Sequence, residues 1–195
     1  MKEKILCLLA SPNKEGNSAT LAKWFLEDLD KEKYELETVF LYDYRLDYTE
    51  NSNYNFGNEN KEQEDQAEEL FRKITSANKI VLATPIWNFG VPAVLKNLLD
   101  RASAWGRIWS EKKRKKVPNW KGKRFYLFFS TGAPRVALSL NFIAILQLFF
   151  TLSYYGAKRR NIALACNCGN GSKNVVENRA FLKRRIKHKA RRIFK

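Results

Sequence analysis

Lys4 to Ser18 reads KILCLLASPNKEGNS. Its first part, from Lys4 to Ala10, is a continuous apolar run, the pattern of a strand covered on both faces. A short polar loop with one glycine, Gly16, follows. Asn17 or Ser18 then starts a helix predicted to run to about Asp30, with Leu21, Trp24, Phe25 and Leu29 on one face at helical spacing. Such a strand, loop and helix open a doubly wound α/β sheet, and the composition of the loop decides which kind. Dinucleotide-binding halves usually carry G-x-G-x-x-G at this point. Here Ser11 to Ser18 holds one glycine among Ser11, Asn13, Asn17 and Ser18.

Working outward, YELETVFLY (Tyr34 to Tyr42) alternates as a second strand. Asp43 to Asn60 is polar, rich in Asn and Tyr, and reads as a long loop. Glu62 to Ser76 is predicted to be a helix with Ala67, Leu70, Phe71 and Ile74 inward, and Lys79 to Ala83 a third strand. Val91 to about Ser103 is a helix with Pro92 in its first turn, where a missing N–H does no harm. RFYLFFS (Arg124 to Ser130) is the fourth strand, Val136 to Leu152 an apolar helix, Ala157 to Cys166 the fifth strand, and Asn174 to about Phe194 a closing amphipathic helix. Strand and helix alternate without an internal repeat or linker, so residues 1–195 are expected to form a single domain, a three-layer sandwich. The strand count and the one-glycine loop favour the flavodoxin-like order, a five-stranded parallel sheet of order 2-1-3-4-5. In that order a ligand crevice lies where the loops after strands one and three diverge.

Composition narrows the function classes. With 195 residues, 45% of them hydrophobic, the chain can bury a sizeable core. Cys7, Cys166 and Cys168 fit neither a disulfide framework, a CxxC pair nor a zinc spacing, and read as reduced thiols of a cytoplasmic protein. The lone His188 sits in a basic tail, which argues against a histidine triad or metal site. The apolar start, Ile5 to Ala10, is short for a signal core. Val136 to Leu152 contains Ser139, Asn141 and Gln147 and falls short of the roughly 20 residues of a membrane span. The net charge of +16 is concentrated in Lys112–Lys116 with Lys121, Lys123 and Arg124, and in the tail Arg179–Lys195. Neither run carries base-stacking aromatics in a module pattern, so both are read as solvated surfaces rather than nucleic-acid or membrane contacts. The helix Val136 to Leu152 is apolar nearly all round, more than one sheet face can cover, which predicts a partner subunit and so a homo-oligomer.

The loops after strands one and three carry the chemistry. Ser11, Asn13, Asn17 and Ser18 offer hydroxyl and amide groups, Gly16 allows close backbone approach, and the helix N-terminus behind them presents free N–H groups. This combination suits a phosphate; taken alone, it equally suits a helix cap. After strand three comes TPIWNFGVPAVLKNLLDR (Thr84 to Arg101), which places Trp87, Asn88 and Phe89 in a tight turn. The aromatics either fold back into the core or flank a flat ligand. The loop after strand four, Ser130 to Arg135, is small enough to admit a planar group beside Thr131, Gly132 and Ala133. Asp100 and Arg101 lie toward the far end of their helix and are expected to form a structural ion pair. The turn Cys168 to Asn174 is read as a connection in which Ser172 caps the last helix.

SPNKEGNSATL after strand one and ATPIWNFGVPAVLKNLLDR after strand three resemble the NAD(P)H-dependent FMN reductases, flavodoxin-like flavoproteins that include quinone, azo-dye and nitro-compound reductases. The resemblance implies FMN as bound cofactor and NADPH or NADH as substrate. Ser11, Asn13, Asn17, Ser18 and Ala19 would then surround the FMN phosphate. Pro85, Ile86, Trp87, Asn88 and Phe89 would hold the isoalloxazine, and Thr131, Gly132 and Ala133 would approach its pyrimidine side. No side chain is assigned as catalytic, because the flavin carries the chemistry. Asn13 stands where many members have Arg or Lys, and Trp87 where Tyr is more usual. Members close to the iron–sulfur flavoproteins carry a Cys cluster before the second helix; Asp43 to Asn60 has no Cys, so no cluster is expected. Lys112–Lys116 would attract NADPH phosphates. The rival readings are a flavodoxin-type electron carrier and a flavin-free nucleic-acid-binding module using the tail.

Overall fold

The computed structural model describes residues 2–46, 66–102, 120–134, 136, 138–169 and 174–194. The expected elements are present in the expected order. Strands β1 (Glu3–Leu9), β2 (Tyr34–Phe40), β3 (Lys79–Ile86), β4 (Arg124–Thr131) and β5 (Lys158–Ala165) form one sheet of order β2-β1-β3-β4-β5. All four pairings are parallel. The helices are α1 (Asn17–Leu26), α2 (Ala67–Ser76), α3 (93–102), α4 (Leu138–Tyr154) and α5 (Ala180–Ile193).

Two apolar layers hold the sandwich together. On one face Leu6, Leu8, Ile80, Leu82, Leu127 and Phe129 meet α2, α3 and α4. On the other, Ile5, Cys7, Val81, Ala83, Tyr126 and Phe128 meet Trp24 and Phe25 of α1 and Ile186 and Ala190 of α5. Successive side chains of one strand thus enter opposite cores, which is why β1, β3 and β4 read as unbroken apolar runs. In α2 the four residues expected to face inward, Ala67, Leu70, Phe71 and Ile74, are buried. At the edge, β2 sends only Val39 into the first core, and Leu36 stays exposed on the opposite face.

The boundaries differ where side chains compete for the backbone. β3 runs three residues past its expected end, because Thr84, Pro85 and Ile86 pair with Phe129, Ser130 and Thr131. Tyr34–Tyr42 ends as a strand at Phe40, and Leu41–Asp43 is a 3-10 turn. α1 stops at Leu26 rather than near Asp30, whose Oδ1 accepts the Glu32 N–H at 2.9 Å in a local turn. α5 begins at Ala180 rather than Asn174, because Asn174 and Val176 are held by the loop before and the first turn of α1. Ser172, expected to cap α5, lies outside the described residues, and the residue preceding the helix is Arg179. Most of the long loop after Asp43 and the Lys112–Lys116 run also fall outside them.

Candidate functional site

All parallel strands end at one rim, and the three loops singled out by sequence meet there. The first begins where Ala10 N–H donates to Ala83 O at 2.8 Å. The Ser11 hydroxyl accepts the Asn13 N–H (3.2 Å), the Asn13 side-chain carbonyl accepts the Glu15 N–H (2.9 Å), and the Asn13 backbone carbonyl accepts the Gly16 N–H (3.1 Å). The loop is thereby curled on itself. A Cβ at residue 16 would sit 3.1 Å from the Asn13 carbonyl oxygen, so glycine is set here by close approach.

Gly16 is extended (φ −70°, ψ 172°) and provides no side-chain cap. Neither Asn17 nor Ser18 caps α1; both are inside it and buried. The Gly16 carbonyl accepts the Thr20 N–H at 3.0 Å, while the N–H groups of Asn17, Ser18 and Ala19 find no acceptor among the described residues. Three free donors at the positive end of a helix make a seat for an anion. Asn17 contributes its backbone there and spends its side chain elsewhere: its Oδ1 accepts the buried Val176 N–H at 3.0 Å. Asn174 adds a second clamp, donating to Glu15 O (2.9 Å) and the Thr20 hydroxyl (2.6 Å). These two supports from the loop before α5 carry no local signal and were missed from sequence. Lys14 does not lean over the seat. Its ammonium pairs with Asp43 at 2.6 Å and lies 4.6 Å from the Phe40 ring centroid.

The second loop continues β3. Thr84, Pro85 and Ile86 are buried in the strand, so Pro85 and Ile86 offer the rim backbone and floor rather than exposed side chains. Trp87 and Gly90 exchange both backbone hydrogen bonds, at 3.0 and 2.9 Å, and the residues between them, Asn88 and Phe89, have φ of 48° and 62°. Positive φ at both central positions defines a type I′ turn. Asn is at home in that conformation; Phe is not. The turn holds Trp87 and Phe89 out of the core, 47% and 51% exposed, with Asn88 between them. Of the two fates open to these aromatics, the structure shows the outward one.

The third loop lies beside the second, since Ile86 is in register with Thr131. Thr131 is buried and its hydroxyl accepts the Ala133 N–H at 3.2 Å, so this amide is engaged within the loop. The Gly132 N–H finds no acceptor among the described residues. The carbonyls of Thr131 and Ala133 accept from Cys168 (2.8 Å) and Asn167 (3.0 Å), tying the loop to the end of β5. A cavity of about 890 Å³ runs from Lys14 and Ala19 along α1 to Leu36 and Thr38 of β2; it reaches the anion seat but not the aromatic turn.

The remaining candidates are structural. Asp100 forms its ion pair with Lys96, one turn earlier in α3, instead of with Arg101. None of the three cysteines forms a disulfide among the described residues. Burial pushes the Cys7 thiol up to about 12 and that of Cys168 upward. No group of three or more His, Cys, Asp or Glu among the described residues is placed to hold a metal ion, and no helix among them is long and apolar enough to cross a membrane.

Residues 3–184 match the model of the flavodoxin-like fold family, and the chain belongs to it. An FMN-dependent NADH:quinone oxidoreductase of Metamycoplasma arthritidis is 30% identical over 118 residues, covering 58% of this chain and 59% of that protein. An iron–sulfur flavoprotein of Archaeoglobus fulgidus is 26% identical over 103 residues, covering 53% and 47%. The matched region thus spans about half the length of these curated relatives. The solved structure of an FMN-dependent NADH-azoreductase from Bacillus anthracis in complex with FMN superposes with a TM-score of 0.70 at 16% identity, covering 99% of this chain and 100% of that one. At that identity the likeness shows the fold.

Proposed function

We propose that this chain binds FMN at the carboxyl rim of the sheet and passes electrons from NADH or NADPH to a quinone, azo, nitro or free-flavin acceptor. One observation carries the reading: the free N–H groups of Asn17, Ser18 and Ala19 and the outward Trp87–Phe89 turn stand on the same rim. An anion seat and a pair of half-exposed aromatics fit a molecule with a phosphate at one end and a flat ring at the other. The Gly132 N–H lies beside that turn as a donor to a ring edge. The names of the relatives agree with this assignment. Flavin chemistry supplies hydride transfer, which relieves the protein of any acid–base pair. The chain's part is to fix the phosphate, orient the ring and leave one ring face open to nicotinamide and acceptor in turn.

With Lys14 held by Asp43, the seat relies on backbone N–H groups and helix dipole rather than a side-chain cation. The same reading gives the protein no iron–sulfur cluster, because Asp43 to Asn60, where the resemblance would put the cluster's cysteines, contains none. NADPH attraction by Lys112–Lys116 stays part of the proposal, tested by charge removal and the NADPH KM at low salt. The homodimer or homotetramer that the resemblance implies would be built on α4, whose outer face carries the exposed Phe142, Ile143, Phe150 and Tyr154.

The test is steady-state oxidation of NADH and NADPH by the purified protein with FMN, with and without benzoquinone. Turnover dependent on FMN and raised by the quinone supports the reductase. Bound FMN without turnover indicates a flavodoxin-type carrier, and failure to take up FMN overturns the reading.

A further inference from the structure

Cations from three elements meet on the α5 side of the sheet, toward the end where the strands begin. Arg124 opens β4 and Lys158 opens β5, and the two are in register, as are Tyr126 and Arg160. Tyr126 packs in the core on the α5 side. By alternation Arg124, Lys158 and Arg160 are directed to that side, and Arg159 to the other, where it lies 4.9 Å from the Phe149 ring centroid. Burial pushes the Tyr126 hydroxyl up, and Arg124 and Arg160 beside it act against that rise. From α5, Lys189 donates to the Ile162 carbonyl of β5, and Arg185 and Arg192 share its helix face at i−4 and i+3. Burial, with Arg185 and Arg160 adding to it, lowers the Lys189 pKa. The sheet cations and the helix cations therefore stand within one another's field.

No carboxylate on the page neutralises this group. On the α1 side of α5, Lys183, Lys187 and Arg191 pair with Glu27 and Asp28. Glu3, at the same end of the sheet, pairs with Lys79. Arg124, Lys158, Arg160, Arg185, Lys189 and Arg192 have no carboxylate partner among the described residues, and all but Lys189 are exposed. Glu177 is the only acidic residue from Lys112 to Lys195. Like charges held side by side are destabilising, so the group calls for an anion supplied from outside. The tail alone reads as a solvated surface; the fold is what adds the starts of β4 and β5 to it.

We infer that this face binds the phosphodiester backbone of a nucleic-acid duplex without reading its sequence. Side-chain type selects the occupant. Arginines predominate in the group, and their guanidinium forks suit phosphate oxygens. Lys158 to Arg160 spans about 7 Å of strand and Arg185 to Arg192 about 10 Å of helix, roughly two and three nucleotide steps. The large hydrophobic exposed on α5 is Phe181, whose ring centroid lies 5.8 Å from the Arg185 guanidinium. One ring is too little to insert α5 into a bilayer or to anchor a protein partner.

The experiment is fluorescence anisotropy of labelled duplex DNA of arbitrary sequence with the purified full chain, across a salt series. Binding should weaken with salt at a log–log slope of about −5, and an unrelated sequence should bind equally. Arg160→Gln with Arg185→Gln should lower the affinity at least tenfold and make the slope shallower by about 2, at a Tm that does not fall, since both side chains are exposed. Arg72→Gln with Lys96→Gln removes the same charge from exposed positions on α2 and α3, across the sheet, and should change the affinity less than twofold. No binding at low salt, equal losses from the two double variants, or tighter binding to phosphatidylglycerol vesicles than to the duplex overturns the proposal. The face lies at the opposite end of the strands from the flavin rim. Duplex binding should therefore be the same with and without FMN, and its failure is read separately from failure of the flavin assignment.

Discussion

At Phe89 a bulky side chain sits on a left-handed backbone, φ 62°, in a turn whose favoured sequence ends Asn-Gly. The conformation costs roughly 1–2 kcal/mol. The side chain it displays is half exposed and returns little of that through burial. Strain held where nothing in the core requires it is the mark of a site. Phe89→Gly should therefore raise the Tm by about 2–4 °C while weakening FMN binding; a Tm that falls would show that Phe89 supports the fold. Cys7 yields a pH prediction. Burial raises its pKa from 9.0 to about 12, so the folded state holds this proton more tightly than the unfolded chain. Its contribution is complete below about pH 9 and is lost as pH rises toward about 12. Thermal melts across that window should fall less steeply for Cys7→Ala than for the parent. Equal slopes would show that the thiol does not titrate on unfolding.

At the scale of elements, α1 and the approach to α5 act as one support for the anion seat. Asn17 is the joint, accepting the buried Val176 N–H. Asn17→Ala leaves that donor unsatisfied, a loss of about 1–3 kcal/mol in urea unfolding. FMN affinity should change less, because the seat uses the Asn17 backbone. Lost affinity at unchanged stability would return the side chain to the phosphate. The sequence could not distinguish these roles, since hydroxyl and amide residues after a strand suit a cap, a phosphate and a tertiary clamp alike. The helix faces were legible, as the burial of Ala67, Leu70, Phe71 and Ile74 in α2 shows, because they depend on spacing alone. The ends of α1 and α5 were not. They are set by Asp30 holding Glu32 and by Asn17 holding Val176, and the second pair is far apart in the chain. The longer β3 escaped notice because Pro85 reads as a strand end, whereas its partner Ser130 keeps it in the sheet.

For the whole molecule, the strand order followed from one count and one loop: five apolar or alternating segments, and a first loop too poor in glycine for a dinucleotide half. That order brings the ends of β1, β3 and β4 to one rim, so the candidate site was legible as three loops before any distance was known. The packing of β5 against α4 was not: that the Arg159 guanidinium lies 4.9 Å from the Phe149 ring centroid depends on residues from two elements and leaves no local signal.

Crystallography of the protein grown with FMN tests the central claim most directly. The map should show the phosphate on the N–H groups of Asn17, Ser18 and Ala19, with the isoalloxazine against Trp87, Asn88 and Phe89. Density for FMN elsewhere, such as the groove between α1 and Leu36, or a rim closed by the indole of Trp87, would contradict it.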